Sequence, residues 1–236
     1  MSSRGPDTAA DDHSDAGEPN LPASDVSPAT AGRRALARRT GRGHATCDRL
    51  RATAACLFVT RGYDRVSLDA IVRQAGGSKT NIYAFFGGKE GLFLAAIEHA
   101  CGQILAPFHE VELDGLELEA GLARLGEALL DLLLTPRHLA LFRLVIGETG
   151  RFPQLGALWY RSGPGLTQGR MAAFIRARHP GIDEAHGADL ARMFHDMAVQ
   201  DLLHRALFAS ERPSAQDCRR IVAQAAALVA RELEPG

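Results

Sequence analysis

From about residue 46 onward, apolar residues recur at helical spacing, and no useful length of the chain alternates as a strand does. Leu50, Ala54, Leu57 and Phe58 fall at i, i+4, i+7 and i+8, predicting a helix over 46–61 that ends at the C′ stop Gly62. Leu68, Ile71, Val72 and Ala75 give one face of a second helix, with Ser67 as its N-cap and Asp69 in the first turn, where an acid suits the helix dipole. Gly76 and Gly77 end it. Ser78 caps a third, short helix whose apolar face is Ile82, Phe85 and Phe86. After Gly87 and Gly88, the positions Phe93, Ala96, Ile97, Ala100 and Ile104 start a long fourth helix that ends or kinks near Pro107.

The rest is leucine-rich and helical. Residues 116–134 become apolar nearly all round, which places them centrally in a bundle. Pro136 separates them from a helix over 137–149, and turn signals recur at 150–153, 163–165 and 180–181. A helix over 188–209 carries Leu190, Met193, Phe194, Met197 and Leu202. The final helix carries Cys218, Ile221, Val222, Ala225, Leu228 and Val229, with alanines at 223, 226, 227 and 230 along a smoother side. Broad apolar faces on the last two helices fit a two-fold interface, and an intramolecular core explains them equally well. The predicted class is all-α.

Residues 67–86 carry the chemistry. Helix, tight turn, short helix is the helix-turn-helix pattern, in which the second helix enters the major groove of DNA. Here that helix turns Lys79, Thr80, Asn81 and Tyr83 outward. Hydroxyls, an amide and an ammonium are groups that meet base edges and phosphates. Lys89 stands at the N-terminus of the fourth helix, where a cation is disfavoured by about 0.3–1 kcal/mol unless an anion such as phosphate docks beside it. Lys79 and Lys89 are the only lysines in the chain, the other 25 basic residues being arginine.

Composition sharpens this picture. At 236 residues and 46 % hydrophobic content, the chain has room for one small and one medium domain. No run of 18 apolar residues suggests a membrane helix, and the N-terminus lacks a signal-peptide profile, so a cytoplasmic location is expected. The net charge of −1 hides an asymmetry: residues 1–32 hold six acids and one arginine, and residues 33–51 hold seven arginines and one aspartate. The acidic stretch 1–32 has almost no large apolar side chains and is expected to be disordered. Arg33, Arg34, Arg38, Arg39 and Arg42 follow as a flexible basic arm, suited equally to phosphate or minor-groove contact and to a solvated linker. Cys47, Cys56, Cys101 and Cys218 show no metal-ligand spacing, and the nine histidines form no HExxH motif. No metal, no cofactor and no convergent catalytic set is expected, so the chain reads as a non-enzyme.

The stretches ATCDRLRATAACLFVTRGYDRVSLDAIVRQAG and SKTNIYAFFGGKEGLFLAAIEHA resemble the N-terminal domain of the TetR/AcrR family of bacterial transcriptional regulators. More weakly, HLALFRLVIGETGRFPQLGALWY resembles the C-terminal domain of its AefR-like branch. The resemblance implies a three-helix DNA-binding domain over 44–104 and a ligand-binding and dimerisation bundle over 105–236. It further implies a homodimer joined through the last two helices, a palindromic double-stranded operator, and repression relieved by a small-molecule effector. The implied setting is the bacterial cytoplasm, at the nucleoid. Carried over by position, the DNA contacts are Ser67, Lys79, Thr80, Asn81, Tyr83 and Lys89, with Thr80 and Asn81 at base edges. Gly77 departs from the aliphatic residue usual in the turn. The effector pocket is expected among residues 116–180, with Phe142, Trp159, Tyr160 and Phe174 as bulky candidates and Arg143, Glu148 and Arg151 as polar ones; each is also explicable as core or surface. Two other classes fit less well: a non-specific architectural DNA-binding protein, for which the residues beyond the motif are superfluous, and an α-helical enzyme.

Overall fold

The computed structural model describes the backbone of residues 28–208 and 212–234, and side chains from residue 43 onward. Among the described residues there are ten α-helices and no strand: α1 (Pro28–Arg61), α2 (Leu68–Ala75), α3 (Lys79–Phe86), α4 (Lys89–His109), α5 (Leu118–Leu133), α6 (Pro136–Glu148), α7 (Gln154–Ser162), α8 (Pro164–Arg178), α9 (Glu184–Phe208) and α10 (Ala215–Glu232). Residues up to Gly41 form one unit and Arg42–Gly236 a second. Helix α1 starts at Pro28 rather than near 46, so the arginine-rich segment 33–42 is helical backbone rather than a flexible arm. Ala35, Leu36 and Ala37 within it are good helix formers, a propensity that the charge count obscures. The acidic stretch before residue 28 lies outside the described residues.

Two cores organise the second unit. The front core joins Leu50, Phe58, Ile71, Ile82 and Phe93 of the first four helices to Leu141, Val145, Phe152 and Leu155 from α6, α7 and the turn between them. The rear core packs α5 against α8, α9 and α10 around Leu122, Leu125, Phe194 and Val222. Helix α4 serves both: Phe93, Ile97 and Ile104 belong to the front core, and Leu105 and Phe108 to the rear core. Glycines set the closest approaches in the rear. A Cβ on Gly126 would stand 2.6 Å from Val222, and one on Gly121 would stand 2.0 Å from the Phe174 ring.

By length and mean hydropathy (1.3), α4 alone among the described helices resembles a membrane span. Its apolar residues are already used inside the fold: Leu92, Phe93, Ala96 and Ile97 are fully buried. The helix is apolar because it is the shared inner wall.

Candidate nucleic-acid interface and effector cavity

Capping fixes the short helices of the motif. Ser67 Oγ accepts from the Ala70 N–H at 3.1 Å, and Ser78 Oγ accepts from the Asn81 N–H at 3.1 Å. The C-cap Gly87 is left-handed at φ 75°. Gly77 has φ 97°, a backbone conformation that residues with a Cβ rarely adopt, which accounts for glycine in this turn. Helix α1 braces the pair from behind. The Arg49 Nε donates to the Ala75 carbonyl at 3.3 Å, satisfying one of the open carbonyls at the end of α2.

On α3, Ile82 is fully buried and Phe86 half-buried, which fixes the outward face. Thr80 and Ala84 lie opposite Ile82 and are exposed, Tyr83 is 59 % exposed, and Asn81 is half-buried on the flank. No protein hydrogen bond engages the Thr80, Asn81 or Tyr83 side chains among the described residues, so their polar atoms remain available. Ser67 is exposed. Phe85 corrects the expected apolar face: it is 46 % exposed and edges against Phe86 at 6.2 Å between centroids. Phe85 falls short of a full helical turn beyond Ile82, and that lag is enough to bring its ring to the rim. Ala84 was missed because a methyl group gives no polar signal; its i+4 relation to Thr80 was the available clue.

The two lysines are not equivalent. Lys79 Nζ lies 2.8 Å from Asp69 Oδ1, and this pairing raises the lysine pKa, chiefly through the hydrogen bond. Lys89 Nζ sits 4.2 Å from the centre of the Tyr63 ring. Burial lowers its pKa, against the pull of Asp64 and with the push of Arg151. Arg151 flanks the same ring at 4.7 Å and pairs with Asp64 at 2.6 Å. Beneath them Phe58, Tyr63, Phe93 and Phe152 meet at centroid distances of 4.8–5.6 Å. Gln154 Nε2 donates to Glu90 Oε1 at 2.6 Å. The start of α4 is thus tied to the α6–α7 region by aromatic packing and the Gln154–Glu90 hydrogen bond, and the Arg151–Asp64 pair ties the same turn to the α1–α2 loop.

A cavity with about 600 Å³ of empty space, its open side included, lies between α4, α5, α6, α7, α8 and α9. Its lining is mostly apolar with a few polar groups, as in small-molecule sites. Cys101, Ile104 and Leu105 of α4 form one wall, and His138, Phe142, Trp159, Thr167 and His195 form others. Phe142 and Trp159 stack at 5.1 Å and 3° between planes, and His138 lies within 6.0 Å of both rings. Burial pushes the Cys101 thiol up to about 12, so it stays protonated.

The expected pocket residues divide. Phe142 and Trp159 line the cavity; Glu148 and Phe174 do not. Phe174 fills the space beside Gly121 and stacks under Arg178 at 4.9 Å, while Glu148 ends α6 near the Tyr63 cluster. Tyr160 is exposed and bonds Gln168. Arg143 donates to the carbonyls of Ala206 and Leu207, and Arg151 belongs to the Tyr63 cluster. The histidines were missed because their positions, 138 and 195, are far apart in sequence and carry no motif.

A braced, capped α2–α3 pair with an exposed polar rim is a helix-turn-helix DNA-binding domain. The model of bacterial regulatory proteins of the tetR family matches residues 50–96, and that of the AefR-like transcriptional repressor C-terminal domain matches residues 120–232. The chain belongs to the TetR family and is a DNA-binding transcriptional regulator. No curated protein matches it. Among solved structures it is similar to a regulator assigned to the TetR family from Mesorhizobium loti MAFF303099, at 25 % identity and TM-score 0.71, over 81 % of this chain and 98 % of that one. The flavonoid-responsive regulator FrrA is similar at 25 % identity and TM-score 0.68, over 80 % and 97 %. A TetR regulator from Agrobacterium tumefaciens also shares 25 % identity, with TM-score 0.56, over 79 % and 93 %.

Proposed function

We propose that this regulator is a homodimeric repressor that holds a palindromic operator in the bacterial cytoplasm and leaves it when a small molecule enters the cavity. Helix α4 carries this reading. Its first half, with Leu92, Phe93 and Ile97, is packed under the helix-turn-helix, and its second half, with Cys101, Ile104 and Leu105, walls the cavity. A ligand that displaces the wall moves the rod that seats the recognition helix. For release, the ligand must bind the DNA-incompetent arrangement more tightly. The likeness to a flavonoid-responsive regulator supports small-molecule control in general.

On the DNA, Thr80, Ala84 and Asn81 are assigned to base edges, and Ser67, Lys79 and Tyr83 to phosphate. Lys89 reaches phosphate only from the rim of its seat on Tyr63. The dimer is assigned to α9 and α10, where Met193 is 56 % and Leu228 51 % exposed beside a groove floored by Leu190 and Val229. Exposed large apolar residues clustered on two adjacent helices suit a self-complementary interface.

The test is selection of duplexes from a random pool with the purified full-length protein. An inverted repeat should emerge, bound about 10³-fold or more above random duplex. Equal affinity for all duplexes would favour the architectural reading. A bound small molecule that leaves operator affinity unchanged would remove the release step.

A further inference from the structure

Three buried polar side chains of the cavity share one property. His138 Nδ1 lies 2.8 Å from the Leu133 carbonyl, and a carbonyl only accepts, so Nδ1 carries the ring proton. Burial lowers the pKa of this ring, so at neutral pH it is uncharged and Nε2 is left as an acceptor with no protein partner among the described residues. His195 repeats the arrangement. Its Nδ1–H donates to Asp196 Oδ1 at 3.1 Å, and a ring in that tautomer offers Nε2 as an acceptor. Thr167 spends its hydroxyl proton on the Pro164 carbonyl at 3.0 Å and keeps its oxygen lone pairs. Three buried polar side chains from three helices thus have their donors taken and their acceptors open. Among the described residues of the lining, Gln200, exposed, is the only amide side chain, and there is no lysine, arginine, aspartate or glutamate. The stacked Phe142 and Trp159 give the cavity a flat aromatic wall beside His138.

We infer that the cavity takes a neutral, flat aromatic molecule bearing a hydroxyl, whose O–H donates to the open acceptors of His138, His195 or Thr167. The inference rests on the cavity being the effector site proposed above, and it goes further by naming the ligand's chemistry. An acceptor-only ligand such as an ether leaves these groups unpaired on desolvation, which is costly. A carboxylate meets the open acceptors of His138 and Thr167, with no lysine or arginine in the lining to pair it, which is costlier. A phenol-like group satisfies one acceptor while its ring lies on the aromatic wall.

Equilibrium dialysis of the full-length protein against β-naphthol, its methyl ether and β-naphthoate tests this directly. All three share one bicyclic frame and differ in the polar group. β-Naphthol should bind about tenfold or more tightly than the ether, and naphthoate more weakly than either. In His138→Phe, which keeps a ring in the stack, the advantage of naphthol over the ether should shrink. Equal or tighter binding of the ether, preference for naphthoate, or no binding of any of the three overturns the inference. The comparison on the unaltered protein stands even if the variant fails to fold. The two readings separate in a second measurement: naphthol that binds with the expected preference, yet leaves the selected operator bound, supports the ligand class and overturns release.

Discussion

Beneath the recognition helix the space is full, whereas in the C-terminal bundle it is partly empty. Ile82, Phe93 and Phe58 are completely buried among one another and the aromatic rings of Tyr63 and Phe152. Around His138, by contrast, α4 to α9 leave a cavity with buried acceptors on its walls. A helix that must present atoms to DNA within a fraction of an ångström needs a rigid seat, and dense packing supplies it. A site that must admit a molecule needs room, and the stability forgone there is recovered when the ligand binds.

Truncation should expose this difference most strongly. Phe93→Ala removes a fully buried ring from the front core and should cost about 3–5 kcal/mol in urea unfolding. Phe142→Ala, on a half-buried wall that already borders empty space, should cost less than half as much. Equal losses would mean that the cavity is as tightly packed as the front core, and the contrast would fail. Gly126→Ala sharpens it from the other side. Its methyl would meet Val222 and Phe194 in the filled part of the bundle, away from the cavity lining, and overpacking there should cost about 1–3 kcal/mol. A neutral effect would show that empty space extends through the whole bundle.

Much of the front was readable because its signals are local. Ser67, Gly76, Ser78 and Gly87 lie close together in sequence, and each dictates a cap or a turn through its own backbone chemistry. The outward placement of Thr80 and Tyr83 followed from the period of one helix. Phe85 was misplaced because a two-turn helix has a narrow buried stripe and three apolar residues competed for it. Lys89 looked like a free cation because Tyr63, its aromatic seat, precedes the whole helix-turn-helix in sequence and is brought there only by tertiary packing. The cavity was harder for the same reason. Leucine-rich helices predict a bundle, but which faces fail to meet depends on crossings between α4, α6 and α9 that no single-helix pattern encodes. Trp159 and Phe142 stood out by size; Phe174 did too, and fills a glycine-made gap instead.

The recognition rim should tolerate truncation without loss of fold, while its DNA readout should not. Asn81→Ala should leave unfolding nearly unchanged and reduce operator affinity about 10- to 100-fold, relaxing preference at one base pair. Tyr83→Phe should weaken selected and random duplexes alike, because a phosphate contact carries no sequence information. Binding curves on the selected duplex and on single-base variants distinguish the two. An Asn81→Ala protein with undiminished discrimination would place base reading elsewhere on the helix, with Thr80 and Ala84 the next candidates.

The smallest expected effect comes from the cavity's own proton equilibrium. The His138 pKa is lowered from its ordinary value of 6.5, mainly by burial, with the Leu133 carbonyl opposing. Between that depressed folded value and 6.5 the unfolded chain binds more protons than the folded one, so stability falls as pH drops through this window and levels off below it. Above about pH 7 the group is neutral in both states and contributes no slope. Nearby, the Cys101 thiol is held protonated across the whole range, and His195 with Asp196 is common to both proteins in the comparison. Urea unfolding of the unaltered protein and of His138→Phe should therefore differ by a constant above pH 7, and the unaltered protein should lose stability faster as pH falls toward 5. Parallel profiles through that range would mean that the ring is as well hydrated in the fold as in the unfolded chain, and the wall beside Trp159 would then be wet rather than aromatic and dry.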